Sequence, residues 1–398
     1  ATNYTGALTV NADDSELDTN AMTLTGGTGS DTLAITLTTD TTIVTTGVTN
    51  VETITLTGDD GGTDTVTITT ADGLVAEGAS LTINGAGLDQ DTNDADLTFN
   101  GSAEADGTFT ITTAGSGANV ITLGEGNDTY TGSGSGGDTV TGTAGNNTIT
   151  TGTGADTITA GSGTDTITGG TGADTFAFGS AANAQNDSIT DFTSADDQIA
   201  VTLNYSSLLS GVVVNAVRTS TGVAGTSAAE ATLTGQRGEY VYDTTNSKLL
   251  VNVTSDASIS GADFQIGVNA ATTAANTIAA TDVNFTVTGT GFADTMKAGG
   301  GADTLNGGAG TDTITGGAGA DTINVGASDA VADIVAYDAE TDGTAVTTIT
   351  NVASTADDFD AVAGTDTDSI GTQWVTGTDD IRITFDLAAS GIGDSSTD

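Results

Sequence analysis

Six residues, Asp128, Asp138, Asn147, Asp156, Asp165 and Asp174, follow one another at steps of nine, with one step of ten between Asp128 and Asp138. Asn119 opens the series nine residues earlier. Two residues before each stands a glycine: Gly117, Gly126, Gly136, Gly145, Gly154, Gly163 and Gly172. Two residues after each stands an apolar side chain: Ile121, Tyr130, Val140, Ile149, Ile158, Ile167 and Phe176. A shorter run, Asp294, Asp303, Asp312 and Asp321, keeps strict nines with Met296, Leu305, Ile314 and Ile323. Carboxylates at fixed intervals among glycines offer oxygen ligands, and Ca²⁺ takes six to eight of these at about 2.3–2.6 Å, from side chains and main-chain carbonyls alike. An Asx turn without metal accounts for any one motif; runs held in register favour the ion.

The elements that must place these groups follow from the rest of each nine. Glycines admit the positive φ of tight turns. The Thr-Ile-Thr pieces are β-branched and prefer extended backbone, and alternation sends the apolar residue to one face and the threonines to the other. Two strand-turn units make a coil of eighteen residues, and stacked coils make a parallel β-roll with an apolar interior. At a strand spacing of about 4.8 Å, residues eighteen apart fall in line. Asp138, Asp156 and Asp174 form one row; Asp128, Asn147 and Asp165 form the opposite one. Asn147 removes a charge from its row and weakens the sites that share it, and the extra residue before Asp138 is expected to distort a turn.

The nonapeptide resembles G-G-x-G-x-D-x-U-x, U being large and apolar, of the RTX (haemolysin-type) calcium-binding repeat family. The full unit stands at Gly169–Ala177, Gly307–Thr315 and Gly316–Asn324. The resemblance implies Ca²⁺, several ions in all, held by adjacent turns and their aspartates. Asn186-Asp187-Ser188-Ile189-Thr190-Asp191-Phe192, followed by Asp196-Asp197-Gln198-Ile199, is similar to the phrase that closes RTX rolls. It makes Asp187, Asp191, Asp196 and Asp197 candidate cap ligands, with solvated turn residues as the alternative. Two isolated turns, Gly27–Leu33 and Gly61–Val66, echo the repeat and add Asp31 and Asp64, for which a bare turn is equally open.

The expected class is all-β: two parallel β-roll (RTX) solenoid segments with β-sandwich-like caps, preceded by a Thr-rich β domain. The divisions are 1–115 for that domain, 116–178 for the first roll, 179–285 for a cap and sandwich-like segment, 286–325 for the second roll and 326–398 for a C-terminal β cap. Strands are expected near Ala21–Thr25, Thr32–Leu37, Thr41–Val48, Thr53–Leu56, Thr65–Thr69, Leu81–Ile83 and Thr108–Thr112, and a hairpin over Tyr240–Val251. A second cap is expected at Ile349–Asp358, and Trp374 as a core plug.

Composition narrows the function. The chain has 53 acidic residues against five Lys plus Arg, a net charge of −48; self-repulsion on that scale calls for counter-cations. It argues against nucleic acid and anionic membranes as partners, and no run is long and apolar enough for a spanning helix. No His and no Cys are present, which excludes imidazole catalysis, His-containing triads, the His-Glu-x-x-His zinc helix, disulfides and thiolate metal sites. The fragment Gly132-Ser133-Gly134 reads as repeat and not as a nucleophile elbow. No enzyme activity is therefore expected. The phrase Gly47–Leu56 is similar to a segment of bacterial surface-layer and RTX adhesin domains. No basic-then-apolar leader opens the chain, whose first residue is Ala1. RTX proteins leave the cell by type I secretion, so the resemblance implies a secreted, extracellular or cell-surface protein. The reading is a calcium-binding structural protein that assembles with copies of itself into a layer or filament, with cell-surface polysaccharide a further candidate partner. The alternatives are a calcium-binding and secretion segment of a larger adhesin or exoenzyme, and ice binding through Thr rows. Asn252-Val253-Thr254 is a weak glycan signal.

Overall fold

The computed structural model describes residues 6–13, 24–37, 41–45, 47–58, 65–72, 74–88, 96–184, 186–194, 196–216, 232–256, 258–260, 262–268, 278–326, 333–337, 348–350, 358–361 and 382–385. Among the described residues it is all-β: strands in mostly parallel sheets, with two short 3₁₀ turns, Ala181–Ala184 and Ala280–Asp282. The chain divides into two units. One holds residues 1–178, 183–197 and 266–272; the other holds 179–182, 198–265 and 273–398.

In the first unit the strands from Thr53–Thr57 onward alternate between two sheets, and Leu24–Thr25 pairs with Val48–Thr49 in a separate two-stranded one. One sheet runs Thr9–Asp13, Thr32–Thr36, Thr53–Thr57, Ser80–Gly87, Thr108–Thr113, Thr129–Gly132, Thr148–Thr150, Thr166–Thr168, Ser188–Ile189 and Phe264–Val268. The other runs Thr41–Val44, Val66–Thr69, Leu97–Asn100, Val120–Thr122, Thr139–Thr141, Thr157–Thr159 and Thr175–Phe178. The apolar residues of the repeat pair with one another along each ladder. Tyr130 stands opposite Ile149 and Ile149 opposite Ile167; Val140 stands opposite Ile158 and Ile158 opposite Phe176. All are buried. The rings of Phe99 and Phe109, one from each sheet, meet edge to face with centroids 5.0 Å apart.

The boundary expected at 115/116 is no break in the ladders. Thr110 pairs with Thr129, and Thr98 with Val120, so the Thr-rich segment and the first array form one stack. What changes is the strand. Array strands such as Val120–Thr122, Thr148–Thr150 and Thr157–Thr159 bury one apolar side chain each. Thr32–Thr36, Thr53–Thr57, Leu97–Asn100 and Thr108–Thr113 each bury two, for example Leu33 with Ile35 and Phe109 with Ile111. Each additional buried side chain contributes about 1.5–3 kcal/mol, so the earlier strands carry more of their own stability. The strands Thr9–Asp13 and Leu97–Asn100 were outside the expected set. The extra residue before Asp138 leaves both ladders in register; it is absorbed in the turn after Gly132, where the backbone can lengthen without moving a strand.

The second unit repeats the plan. Gln198–Asn204, Val283–Thr288, Thr304–Asn306, Thr322–Asn324 and Thr348–Thr350 form one parallel set. Val213–Asn215, Thr295–Lys297, Thr313–Thr315, Ile334–Tyr337, Asp358–Ala361 and Arg382–Phe385 form the other. The expected hairpin is present, Tyr240–Asp243 antiparallel to Lys248–Val251, and Val241 and Leu250 pack with Leu233. The 179–285 segment is divided between the units, because residues 183–197 extend the first stack. The second cap lies outside the described residues except for strand Thr348–Thr350 and Asp358, as does Trp374.

Glycine is required where turns stack. A Cβ on Gly154 would overlap the carbonyl oxygen of Gly136, and one on Gly172, whose φ is +144°, would overlap that of Gly154. Gly172→Ala combines backbone strain with a steric conflict against main chain, and is expected to cost about 2–5 kcal/mol, read as a lower unfolding midpoint in calcium. A midpoint within error of the parent would show that the turns are not packed this closely.

Candidate metal centre

Strand pairing carries the aspartates into two files along the first stack. In one, the Asn119 N–H donates to Asp138 Oδ1 at 3.0 Å, that of Asp138 to Asp156 Oδ1 at 2.6 Å, that of Asp156 to Asp174 Oδ1 at 2.9 Å and that of Asp174 to Asp197 Oδ1 at 3.0 Å. In the other, Phe109 donates to Asp128 at 2.7 Å, Asp128 to Asn147 at 2.9 Å, Asn147 to Asp165 at 2.7 Å and Asp165 to Asp187 at 2.7 Å. The two expected rows are thus both present, and Asp187 and Asp197 close them. Asp31 joins the same scheme: its Oδ1 accepts the Leu8 N–H at 2.7 Å, and its own N–H donates to Glu52.

The second unit has two files of its own. Phe285 donates to Asp303 and Asp303 to Asp321, at 2.7 and 2.9 Å. Val212 donates to Asp294, Asp294 to Asp312 and Asp312 to Asp333, at 2.7, 2.9 and 2.9 Å. Asp333 was missed because no glycine turn precedes it in the nine-residue pattern. Its signal is the pair Asp333 and Val335, the Asp-x-apolar spacing that Asp187 with Ile189 and Asp197 with Ile199 also keep.

Each of these aspartates is buried. An ionised carboxylate out of water is costly unless it is hydrogen-bonded and neutralised, and the whole chain has five Lys plus Arg. The second carboxylate oxygen meets one of two fates. In Asp31 it accepts the Gly27 N–H, in Asp128 the Gly124 N–H at 2.9 Å, in Asp138 the Tyr130 hydroxyl at 2.6 Å, in Asp197 the Thr193 N–H at 2.7 Å and in Asp294 the Thr290 N–H at 2.6 Å. In Asp156, Asp165, Asp187, Asp303 and Asp321, Oδ2 is buried with no partner at hydrogen-bonding geometry, although the Gly152, Gly161 and Gly299 N–H groups lie close enough to favour the ionised forms of Asp156, Asp165 and Asp303. Near Asp156 the Thr151 hydroxyl is engaged elsewhere, donating to the Gly169 carbonyl at 2.6 Å. The first glycine of the repeat keeps this side of the carboxylate open: a Cβ on Gly169 would stand 2.5 Å from Asp174 Oδ2, and one on Gly316 would overlap Asp321 Oδ2. Orphaned anionic oxygens beside stacked glycine carbonyls fit a hard divalent cation. The residues that would hold Ca²⁺ are Asp156, Asp165, Asp174, Asp187, Asp303 and Asp321, with main-chain oxygens of their turns. The ion would supply the positive charge that the chain lacks.

The remaining candidates separate. Asp191 is half-buried and accepts the N–H groups of Gly169 and Gly170 at 3.0 and 2.7 Å, clamping the last turn of the first array. Asp196 is exposed and its carboxylate lies outside the files. Asp64 lies outside the described residues. Asn147 is satisfied by protein alone, its Oδ1 by the Asp128 N–H and its Nδ2 by the Ala144 carbonyl at 3.2 Å. A separate acidic group, Asp72, Glu104 and Asp106, brings one oxygen from each within 4.8 Å of the others. There the buried Glu104 already accepts the N–H groups of Val75 and Gly107.

Burial sets the electrostatics. It pushes Asp128, Asp174 and Asp321 up to about 6, Asp187 to about 7 and Asp303 to about 8, against the hydrogen bonds from the neighbouring coil. The same cause raises Asp156, Asp165 and Asp197. Without a cation, the files are proton sinks.

A parallel β-roll whose turns align buried carboxylates and glycine carbonyls is a calcium-binding repeat fold. Residues 113–140, 133–167, 141–176, 150–183 and 288–323 match the family model of the RTX calcium-binding nonapeptide repeat (4 copies). The chain carries RTX repeats, which are known calcium-binding motifs and typical of secreted proteins. No curated protein matches the chain.

The raised pKa values fix the sign of a pH effect. Between the unfolded value, about 3.9, and the folded ones, the metal-free fold holds more protons than the unfolded chain. Its stability is full at low pH and falls as pH rises through the folded values. In EGTA the melting temperature is expected to drop from about pH 5 to pH 8, and in calcium this drop is expected to shrink or reverse, because the ion needs the ionised form. A metal-free melting temperature that climbs over this range would contradict the buried files.

Proposed function

We propose that this is a secreted structural protein whose coils are folded by Ca²⁺ and which assembles with copies of itself into an extracellular layer or filament. The observation that carries the calcium half is the set of buried carboxylate oxygens without partners at Asp156, Asp165, Asp187, Asp303 and Asp321. The assembly half is supported by the absence of His and Cys, which leaves little catalytic chemistry to carry, and by the repetition of the β-roll plan in both units. Leu208, 36% exposed, and Val213, 56% exposed, also line a groove with Gly235 and Arg237, where a second copy can gain apolar contact. No role in catalysis is proposed.

A second reading has its own observation. Thr148 and Thr150 pair with Thr166 and Thr168, and Thr139 and Thr141 with Thr157 and Thr159, giving outward Thr-x-Thr files in register. Such files suit an ordered water or ice surface, and a thermal-hysteresis assay tests this.

Electron microscopy and circular dichroism of the same preparation, in millimolar calcium and in excess EGTA, test the first reading. Ordered sheets or fibres are expected in calcium, with dispersal and loss of β signal in EGTA. Unchanged dichroism would sink the calcium half. Featureless, monodisperse particles in calcium would sink the assembly half.

A further inference from the structure

The first stack contains two kinds of coil, and the change falls between Asp138 and Asp156. At Asn119, Asp128 and Asp138 the turns are closed by protein. Asn119 Nδ2 donates to Thr113 Oγ1 at 3.3 Å, Thr113 and the Tyr130 hydroxyl meet at 2.8 Å, and that hydroxyl donates to Asp138 Oδ2 at 2.6 Å. Asn119 Nδ2 also reaches Asp138 Oδ1 at 2.9 Å. All four residues are buried. In the opposite file both oxygens of Asp128 accept N–H groups, and Asn147 replaces a carboxylate with an amide that its own turn satisfies. The strands beneath, Thr108–Thr113 and Leu97–Asn100, bury paired apolar residues. Beyond this point Asp156, Asp165 and Asp187 each leave Oδ2 orphaned, while strands Thr157–Thr159 and Thr166–Thr168 bury a single isoleucine.

We propose that the stack closes in two stages: the coils through residue 141 form without a cation, and those from Asp156 to Asp197 close onto them only with Ca²⁺. The Tyr130 hydroxyl meets at Asp138 the carboxylate oxygen that at Asp156, Asp165 and Asp187 would be left to an ion. It is a neutral donor reaching the same carboxylate oxygen from inside the roll, so it satisfies the oxygen without adding charge. The metal-free base then presents its last strands, Thr129–Gly132 and Thr139–Thr141, as a template on which the next coil pairs. The inference rests on the calcium reading above and adds which coils need the ion.

Hydrogen exchange read by mass spectrometry on the full chain, in millimolar calcium and in excess EGTA, tests it. Peptides within 108–141 are expected to stay protected in EGTA, and peptides within 157–190 to lose protection. If neither segment responds, the calcium reading itself fails and this inference with it. If both lose protection together, calcium binding stands and the two-stage closure is overturned. Tyr130→Phe supplies the second arm. It leaves Asp138 Oδ2 orphaned, so protection over 129–141 is expected to disappear in EGTA and return in calcium. Protection that survives EGTA in this variant, or a loss that calcium does not restore, would remove Tyr130 from the role assigned to it.

Discussion

In this molecule a coil is fixed to the next by its aspartate as well as by its strand. The Asp156 carboxylate takes the N–H of Asp138 with one oxygen and turns the other into a buried volume that lacks a positive group. The first bond reinforces the register that main-chain bonds also set at the turn, Thr157 N–H to the Asp138 carbonyl and Thr153 N–H to the Gly134 carbonyl, both at 2.8 Å. The second oxygen makes that register conditional. A neutral side chain of the same shape could close the turn outright; a carboxylate closes it only in company with a proton or a cation. The arrangement recurs at Asp165, Asp187, Asp303 and Asp321, so the charge problem recurs too, in a chain whose net charge is −48. The fold is thereby tied to the ionic composition of its surroundings.

The hydrophobic interior is correspondingly modest in the arrays. Ile149, Ile158 and Ile167 are fully buried, but a three-residue strand can turn only one side chain inward. Longer strands in residues 32–113 relieve that limit, and these coils need few glycine turns. The division of labour is visible within one stack: apolar burial in the earlier coils, charge pairing in the later ones.

Much of this was legible from spacing alone. A nine-residue period with glycine at one offset and an apolar residue at another determines a strand, a turn and a face, and doubling it determines which aspartates align. That is why the rows through Asp138 and Asp128 are legible in the sequence itself. The period is silent where the coil length varies. Asp333 follows Asp312 by twenty-one residues and Asp187 follows Asp165 by twenty-two, yet both pair as aspartates eighteen apart do. Strand Leu97–Asn100 was missed for the same reason. That the second oxygen of Asp138 is satisfied depends on Tyr130 reaching eight residues along the chain inside the roll, a contact that a linear pattern does not encode.

The alternation of strands between two sheets also limits how such a chain can change in length. Successive array strands at Val120, Thr129, Thr139, Thr148, Thr157 and Thr166 fall in one sheet and then the other. Gain or loss of a single nonapeptide would shift every later strand into the opposite sheet and present each aspartate to the wrong file. Gain or loss of two leaves all downstream pairings intact. The array thus has parity: it can lengthen or shorten by whole coils, while an odd unit must be corrected by a second change before the stack can close.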